Sequence, residues 1–178
     1  MAHSLLMRLA VAVLAVSSIF MGACGYHTAG HATRIPTEIQ TIAIPALTNK
    51  TQTYKVEQQI TAAVVREMIT RTKYHVVYDT TSDADATLRG VVTQTELSPL
   101  TYDSVTGRAS SAIVVVHLDV ALVDRKGKVL YANPNYLFRE QYQVSREISS
   151  FFEEQGPAMQ RLARDVARTL VSDILESY

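Results

Sequence analysis

Between Ser111 and Val123 the chain alternates with a period of two: Ala112, Val114, Val116, Leu118, Val120 and Leu122 fall on one side, His117 and Asp119 on the other. Successive strand residues point to opposite faces, so this stretch commits the chain to a sheet with one face turned into a core. His117, on the side away from the stripe, reads as a partly exposed strand histidine rather than a catalytic one.

The neighbouring segments supply partners for that strand. Asp124-Arg125-Lys126-Gly127-Lys128 is a tight turn, with Gly127 providing the positive φ that such a turn needs. Val129-Leu130-Tyr131 begins the returning strand, Asn133-Pro134-Asn135 interrupts it as a bulge or edge feature, and Tyr136, Phe138, Glu140 and Tyr142 then share one face. Ala86 to Thr95 alternates loosely and forms the other arm of a long hairpin. Tyr74 to Tyr78 is a β-branched and aromatic strand, followed by a turn from Thr80 to Asp85. Thr41 to Leu47 is a short apolar strand in which Pro45 implies an edge or a strand end.

Two helices complete the pattern. From Tyr54 to about Arg71, the residues Val56, Ile60, Ala63, Val64 and Met68 fall on one helical face. Leu162, Ala163, Val166, Leu170 and Ile174 recur at the same spacing near the C-terminus. Ser150 and Glu153 have capping-box spacing for that helix, with Gly156-Pro157 as the competing start. The order is strand, helix, four strands, helix; no Gly/Ser linker divides it, so residues 41–178 read as one α+β domain.

The N-terminus is of another kind. His3 and Arg8 precede an uncharged stretch from Leu9 to Ala23, too short and too rich in small residues for a spanning helix of about 20 apolar residues. A basic start, an apolar middle and small residues before a cut are the pattern of an export signal, here residues 1–23. Met21-Gly22-Ala23-Cys24 resembles the lipobox of bacterial lipoproteins, with Met21 in place of the usual leucine. That resemblance implies a diacylglycerol and an N-acyl chain on Cys24, and Gly25 after it implies passage to the outer membrane. Cys24 is the only cysteine, so no internal disulfide can form. Residues 24–40, with Gly25, Gly30 and Pro36, read as a lipidated N-terminus and tether.

Charge and motifs exclude several classes. Seventeen basic residues balance seventeen acidic ones, which gives no support to a nucleic-acid binder. Cys24, His27 and His31 do not make a metal site, because an acylated cysteine cannot act as a thiolate and a fourth ligand is not apparent. Asp79, Asp83 and Asp85 lack the glycine and terminal glutamate of a calcium loop and fit turn chemistry instead. No nucleophile elbow, H-E-x-x-H or phosphate loop is present, so no catalytic residue, metal or cofactor is expected.

Cys24-Gly25-Tyr26-His27, Ile42-Ala43-Ile44-Pro45 with Asn49 and Thr51, the Tyr54–Arg71 helix, Ala84-Asp85, Leu88-Arg89-Gly90, the long hairpin and the final helix together resemble the lipopolysaccharide-assembly lipoprotein family LptE. The resemblance implies two helices packed on one face of a mostly antiparallel, about four-stranded sheet. It also implies a lipid-anchored outer-membrane protein, facing the periplasm and barrel lumen, that plugs and helps assemble an LptD-like β-barrel. Lipopolysaccharide itself is an expected partner, bound through basic residues near the hairpin end of the sheet. Cations beside apolar surface suit its phosphates and acyl chains, and the arginine fork suits phosphate. Arg108, Arg139 and Arg146 are the candidates, with Lys50 and the Arg125-Lys126-Lys128 turn as further ones. The alternative is a periplasmic lipoprotein that activates a cell-wall synthase or forms part of a secretion pore; a similar strand–helix start would suit both.

Overall fold

The alternating strand read from the sequence lies near the middle of the sheet, paired on both sides. A computed structural model describes residues 35–79, 83–144 and 148–176, with the backbone alone for 148–155. The elements in chain order are β1 (Thr41–Ala43), β2 (Thr48–Asn49), α1 (Val56–Arg71), β3 (His75–Val77), β4 (Ala86–Tyr102), β5 (Ala109–Asp124), β6 (Val129–Gln143) and α2 (Ile148–Glu176). They form a six-stranded sheet in the order β3-β1-β4-β5-β6, with β2 also paired to β4.

This corrects the expectation of about four mostly antiparallel strands. The sheet is mixed: β1 is parallel to β3 and to β4, β2 is parallel to β4, and only β4-β5 and β5-β6 are antiparallel. The reason is the helical crossover between β1 and β3, which carries the chain back to its starting end before the next strand begins. Pro45 ends β1, and the chain rejoins the same edge of β4 as β2, Ile42 opposite Ala86 and Thr48 opposite Val91. Strands of two and three residues are too short to show a period.

Both helices cover one face. Val56, Ile60, Val64 and Met68 of α1 and Leu162, Val166, Leu170 and Ile174 of α2 are buried with Leu88, Val92, Val116, Leu118 and Leu122 of the sheet in one core. Ala63, expected in the α1 stripe, is only half-buried, while Val65 is buried. On β5 the stripe from Ala112 to Leu122 is buried as expected, and Ile113, Val115, His117 and Asp119 on the other face are half-buried. At Asn133-Pro134 the β5–β6 register shifts, the bulge expected there.

Of the boundaries that differ from the sequence reading, two bear on the site. Strand β4 continues to Tyr102 through its pairing with β5; beyond Val92 no strand among the described residues pairs with its outer side, and an edge tolerates Pro99. Helix α2 begins at Ile148, so neither Ser150 nor Gly156-Pro157 is its start, and Pro157 lies inside it. Gly156 and Pro157 are exposed, so water can meet the carbonyl that the proline ring leaves without a donor.

Candidate functional site

The loop between β2 and α1 is ordered by one amide. Asn49 Nδ2 donates to the Thr53 carbonyl and to Glu57 Oε2, both at 2.9 Å, while its Oδ1 accepts from Thr51 N and Thr51 Oγ1, both at 2.8 Å. Thr53 Oγ1 shares a 2.6 Å hydrogen bond with Thr95 Oγ1, which ties the loop to β4. Helix α1 has no side-chain cap of its own: Lys55, at φ 57, leads into it with no capping bond. The asparagine therefore substitutes for a cap by holding Glu57, in the first turn, and the loop together.

This loop, the free edge of β4 and α2 enclose a cleft of about 320 Å³, lined by Lys50, Thr51, Thr53, Thr95, Leu97 and Met159. Its lining is rich in hydroxyls, with Lys50 and Glu96 as its charged residues, and Leu97, Val114 and Met159 supply apolar surface; Glu96 Oε1 accepts from Gln94 Nε2 at 2.5 Å. The arrangement offers hydroxyls and an ammonium that can hydrogen-bond a polar group, beside apolar side chains. From the cleft the hairpin continues past Leu100, Tyr102 and Val105, which are 45%, 62% and 91% exposed. So much apolar surface on one projecting element is the mark of a contact site.

At the tip, Asp103 Oδ1 accepts from Val105 N at 3.0 Å and from Thr106 N at 2.8 Å, and Gly107 takes φ +66. This turn presents Arg108 to solvent. Arg139 lies elsewhere, exposed on the face of the sheet away from the helices, in one row with Val115 and Glu96. Six strand residues separate those levels, a rise of about 20 Å. The structure therefore does not bring Arg108 and Arg139 to one phosphate. Arg146 and Cys24 lie outside the described residues, as do His27 and His31.

The remaining cations have other roles. The turn of Arg125, Lys126 and Lys128 is at the opposite end of the sheet from Arg108, joining β5 to β6. Arg125 Nη2 donates to Asp85 Oδ1 at 2.6 Å, and Asp85 Oδ2 accepts from the backbone N–H groups of Gln40 and Thr41, each at 2.9 Å. Those backbone donors, then Arg125, hold the Asp85 carboxyl below the ordinary carboxylate range. Asp85 thus joins the start of β1 to the β5–β6 turn. Tyr136 Oη donates to Asp173 Oδ2 at 2.5 Å and is hydrogen-bonded to the Tyr131 hydroxyl; burial, then Asp173, push its phenol well above the ordinary range. A phenol so firmly protonated at the seam of β6 and α2 joins sheet to helix.

Lys50 appeared in the sequence only as a further candidate, and Leu97, Leu100, Tyr102 and Val105 were not identified at all. The signal for the apolar group was Leu97-Ser98-Pro99-Leu100, an apolar strand segment with a proline that only an unpaired edge accommodates. Among the described residues no group of His, Cys, Asp and Glu could hold a metal ion, and no helix is long and apolar enough to cross a membrane.

Comparisons with known proteins agree with this architecture. The chain is similar in fold to lipoprotein B of Nitrosomonas europaea, at 14% identity and a TM-score of 0.55, covering 85% of this chain and 90% of that one. It is also similar to the rare lipoprotein B of Shewanella oneidensis, at 17% identity and a TM-score of 0.48, covering 77% and 92%. At 14% identity the likeness to the Nitrosomonas protein concerns the fold alone. A search of curated protein sequences finds no match. The model of the family LptE, described as lipopolysaccharide-assembly, matches residues 39–174, from just before β1 to within the last turn of α2. The chain belongs to the LptE lipopolysaccharide-assembly family.

Proposed function

We propose that this protein is an outer-membrane lipoprotein, held by acyl chains on Cys24, that plugs an LptD-like barrel, assists its assembly and helps lipopolysaccharide reach the outer leaflet. Family membership supports the general role. The observation that carries the lipid contact is the cleft with Lys50 on its rim and Leu97 and Met159 within, continuous with the exposed Leu100, Tyr102 and Val105 of the hairpin. Lys50 meets a phosphate, the threonine hydroxyls meet sugar hydroxyls, and the hairpin's apolar side chains meet acyl chains. Arg108 at the tip serves a second phosphate. The sheet face away from the helices mixes Val91, Val115 and Leu137 with Arg89, Glu96 and Arg139, a composition that suits the wet wall of a barrel lumen.

Affinity purification from detergent-solubilised outer membrane tests the partner. A large β-barrel protein should co-purify in near-equal amount; recovery of a peptidoglycan synthase in its place would overturn the reading. Binding to lipopolysaccharide micelles tests the surface. Lys50→Ala with Arg108→Ala should weaken it about tenfold or more, as loss of charge-assisted contacts does, and unchanged binding would remove the cleft and tip from the assignment.

A further inference from the structure

The edges of the sheet are guarded unequally. An edge strand presents unpaired N–H and C=O groups, and proteins blunt such edges with short strands, bulges and prolines. On one side, β3 has only three residues, and the outer side of β4 carries Pro99 and register shifts at Val92/Gln94 and Pro99/Thr101. On the other side, β6 is bulged between Asn133 and Tyr136, but from Tyr136 to Gln143 it pairs one for one with Leu118 to Ser111, without a shift or a proline. No strand among the described residues lies beyond it.

One bond fixes which way its backbone groups point. Val144 N–H donates to the Ser110 carbonyl at 3.0 Å, and the alternation of an antiparallel ladder then turns Tyr142, Glu140 and Phe138 toward β5 as well. Leu137, Arg139, Gln141 and Gln143 therefore aim N–H and C=O groups away from β5, and their exposed side chains stand on the sheet face away from the helices. Donors and acceptors thus recur every second residue, about 7 Å apart. An extended polypeptide matches that repeat; phosphates and acyl chains do not. Arg139 has no ion pair or hydrogen bond among the described residues, whereas Glu140 is engaged by Arg161 at 2.5 Å. Leu137, 41% exposed, lies two residues from Arg139 on the same face. A second copy of the chain fits poorly. Opposite residues of an antiparallel pair share a face, so self-pairing about the middle of this stretch sets Arg139 against Arg139 or Glu140 against Glu140, like charges directly opposed. We propose that the Leu137–Gln143 edge of β6 receives an extended strand of a partner polypeptide, with a carboxylate beside Arg139 and an apolar side chain beside Leu137. The proposal does not rest on lipopolysaccharide binding, whose cleft lies at β4.

The test is residue-resolved hydrogen exchange of the purified full chain in detergent, with a synthetic peptide of threonines in which a valine and a glutamate stand two residues apart. In the protein alone, the amides of Leu137, Arg139, Gln141 and Gln143 should exchange faster than those of Phe138, Glu140 and Tyr142. The peptide should slow those four about tenfold or more. Gln141→Pro removes an outward donor and no bond to β5, so it should keep the circular dichroism spectrum and weaken the peptide severalfold. Arg139→Gln should also weaken it severalfold. Absence of slowing, equal slowing by a peptide methylated on every backbone nitrogen, or undiminished binding to either variant would overturn the proposal. Slowing of the same amides by raised protein concentration alone would overturn it in favour of a second copy. Slowing by lipopolysaccharide micelles but not by the peptide would overturn it in favour of a glycan.

Discussion

Replacing Gly90 by alanine places a methyl group where Leu47 already lies. A Cβ built there would be 2.7 Å from Leu47 Cγ and 2.8 Å from Cδ2, inside any tolerable contact. Leu47 cannot swing out freely: it is 5% exposed, and its N–H is held by Thr61 Oγ1 at 3.0 Å. Overpacking of this kind costs about 1–3 kcal/mol. Removing glycine from a strand returns about 0.5–1 kcal/mol, which leaves a net loss of about 1–2 kcal/mol for Gly90→Ala. With a urea slope of about 2 kcal/mol/M, the unfolding midpoint should fall by about 0.5–1 M. The measurement is urea unfolding of residues 25–178, followed by far-ultraviolet circular dichroism. Leu47→Ala alone should cost about 2–5 kcal/mol, and in that background Gly90→Ala should be neutral or stabilising, because the obstructing side chain is gone. The coupling between the two sites should therefore be about 1–3 kcal/mol. An equal cost in both backgrounds would refute the reasoning, since the clash with Leu47 would then not be its source.

Cys24→Ala should release the protein from membranes into the soluble periplasmic fraction, as read by fractionation and immunoblot; continued membrane retention without the cysteine would contradict the acyl anchor. The lowered pKa of Asp85 makes a stability contribution that is full above the unfolded carboxylate value and is lost as pH falls through the lower folded one. Urea midpoints of the natural protein and Asp85→Asn should therefore differ at neutral pH and converge well below 3.8, the ordinary carboxylate value; a constant difference across that range would count against the Gln40–Thr41–Arg125 contacts. Tyr136→Phe should cost about 1–2 kcal/mol by withdrawing the donor from Asp173, and Tyr136 in the folded protein should resist ionisation in an ultraviolet alkaline titration until the chain unfolds. Asn49→Ala should loosen the loop from Lys50 to Thr53, giving faster hydrogen exchange at Thr51 and Thr53; unchanged exchange would show that the amide does not organise the loop.

The candidate site was only partly legible before the fold was known. Lys50 and Thr95 are far apart in sequence and meet because β2 pairs with β4 through Asn49 and Val92. Arg108 and Arg139 read alike in the sequence, yet strand pairing places one in the tip and the other on the face of the sheet away from the helices. Asp85 read as a turn residue, which it is, but its contacts with Gln40 and Thr41 required the parallel pairing of β1 with β4.

By itself the sequence determined the β4-β5-β6 antiparallel core, the two helices and the buried stripe from Ala112 to Leu122. Periodicity is a local property, and a residue's neighbours along the chain suffice to express it. The order of the family's segments was also legible, and the family match over residues 39–174 agrees with it. Tertiary structure alone decided the mixed six-stranded sheet, the continuation of α2 through Pro157, the contact of Leu47 with Gly90 and the cleft beside β4. Each depends on which distant segments meet. Strands of two or three residues have no period to reveal their pairing, and a proline is acceptable wherever the fold happens to expose the carbonyl it leaves unpaired.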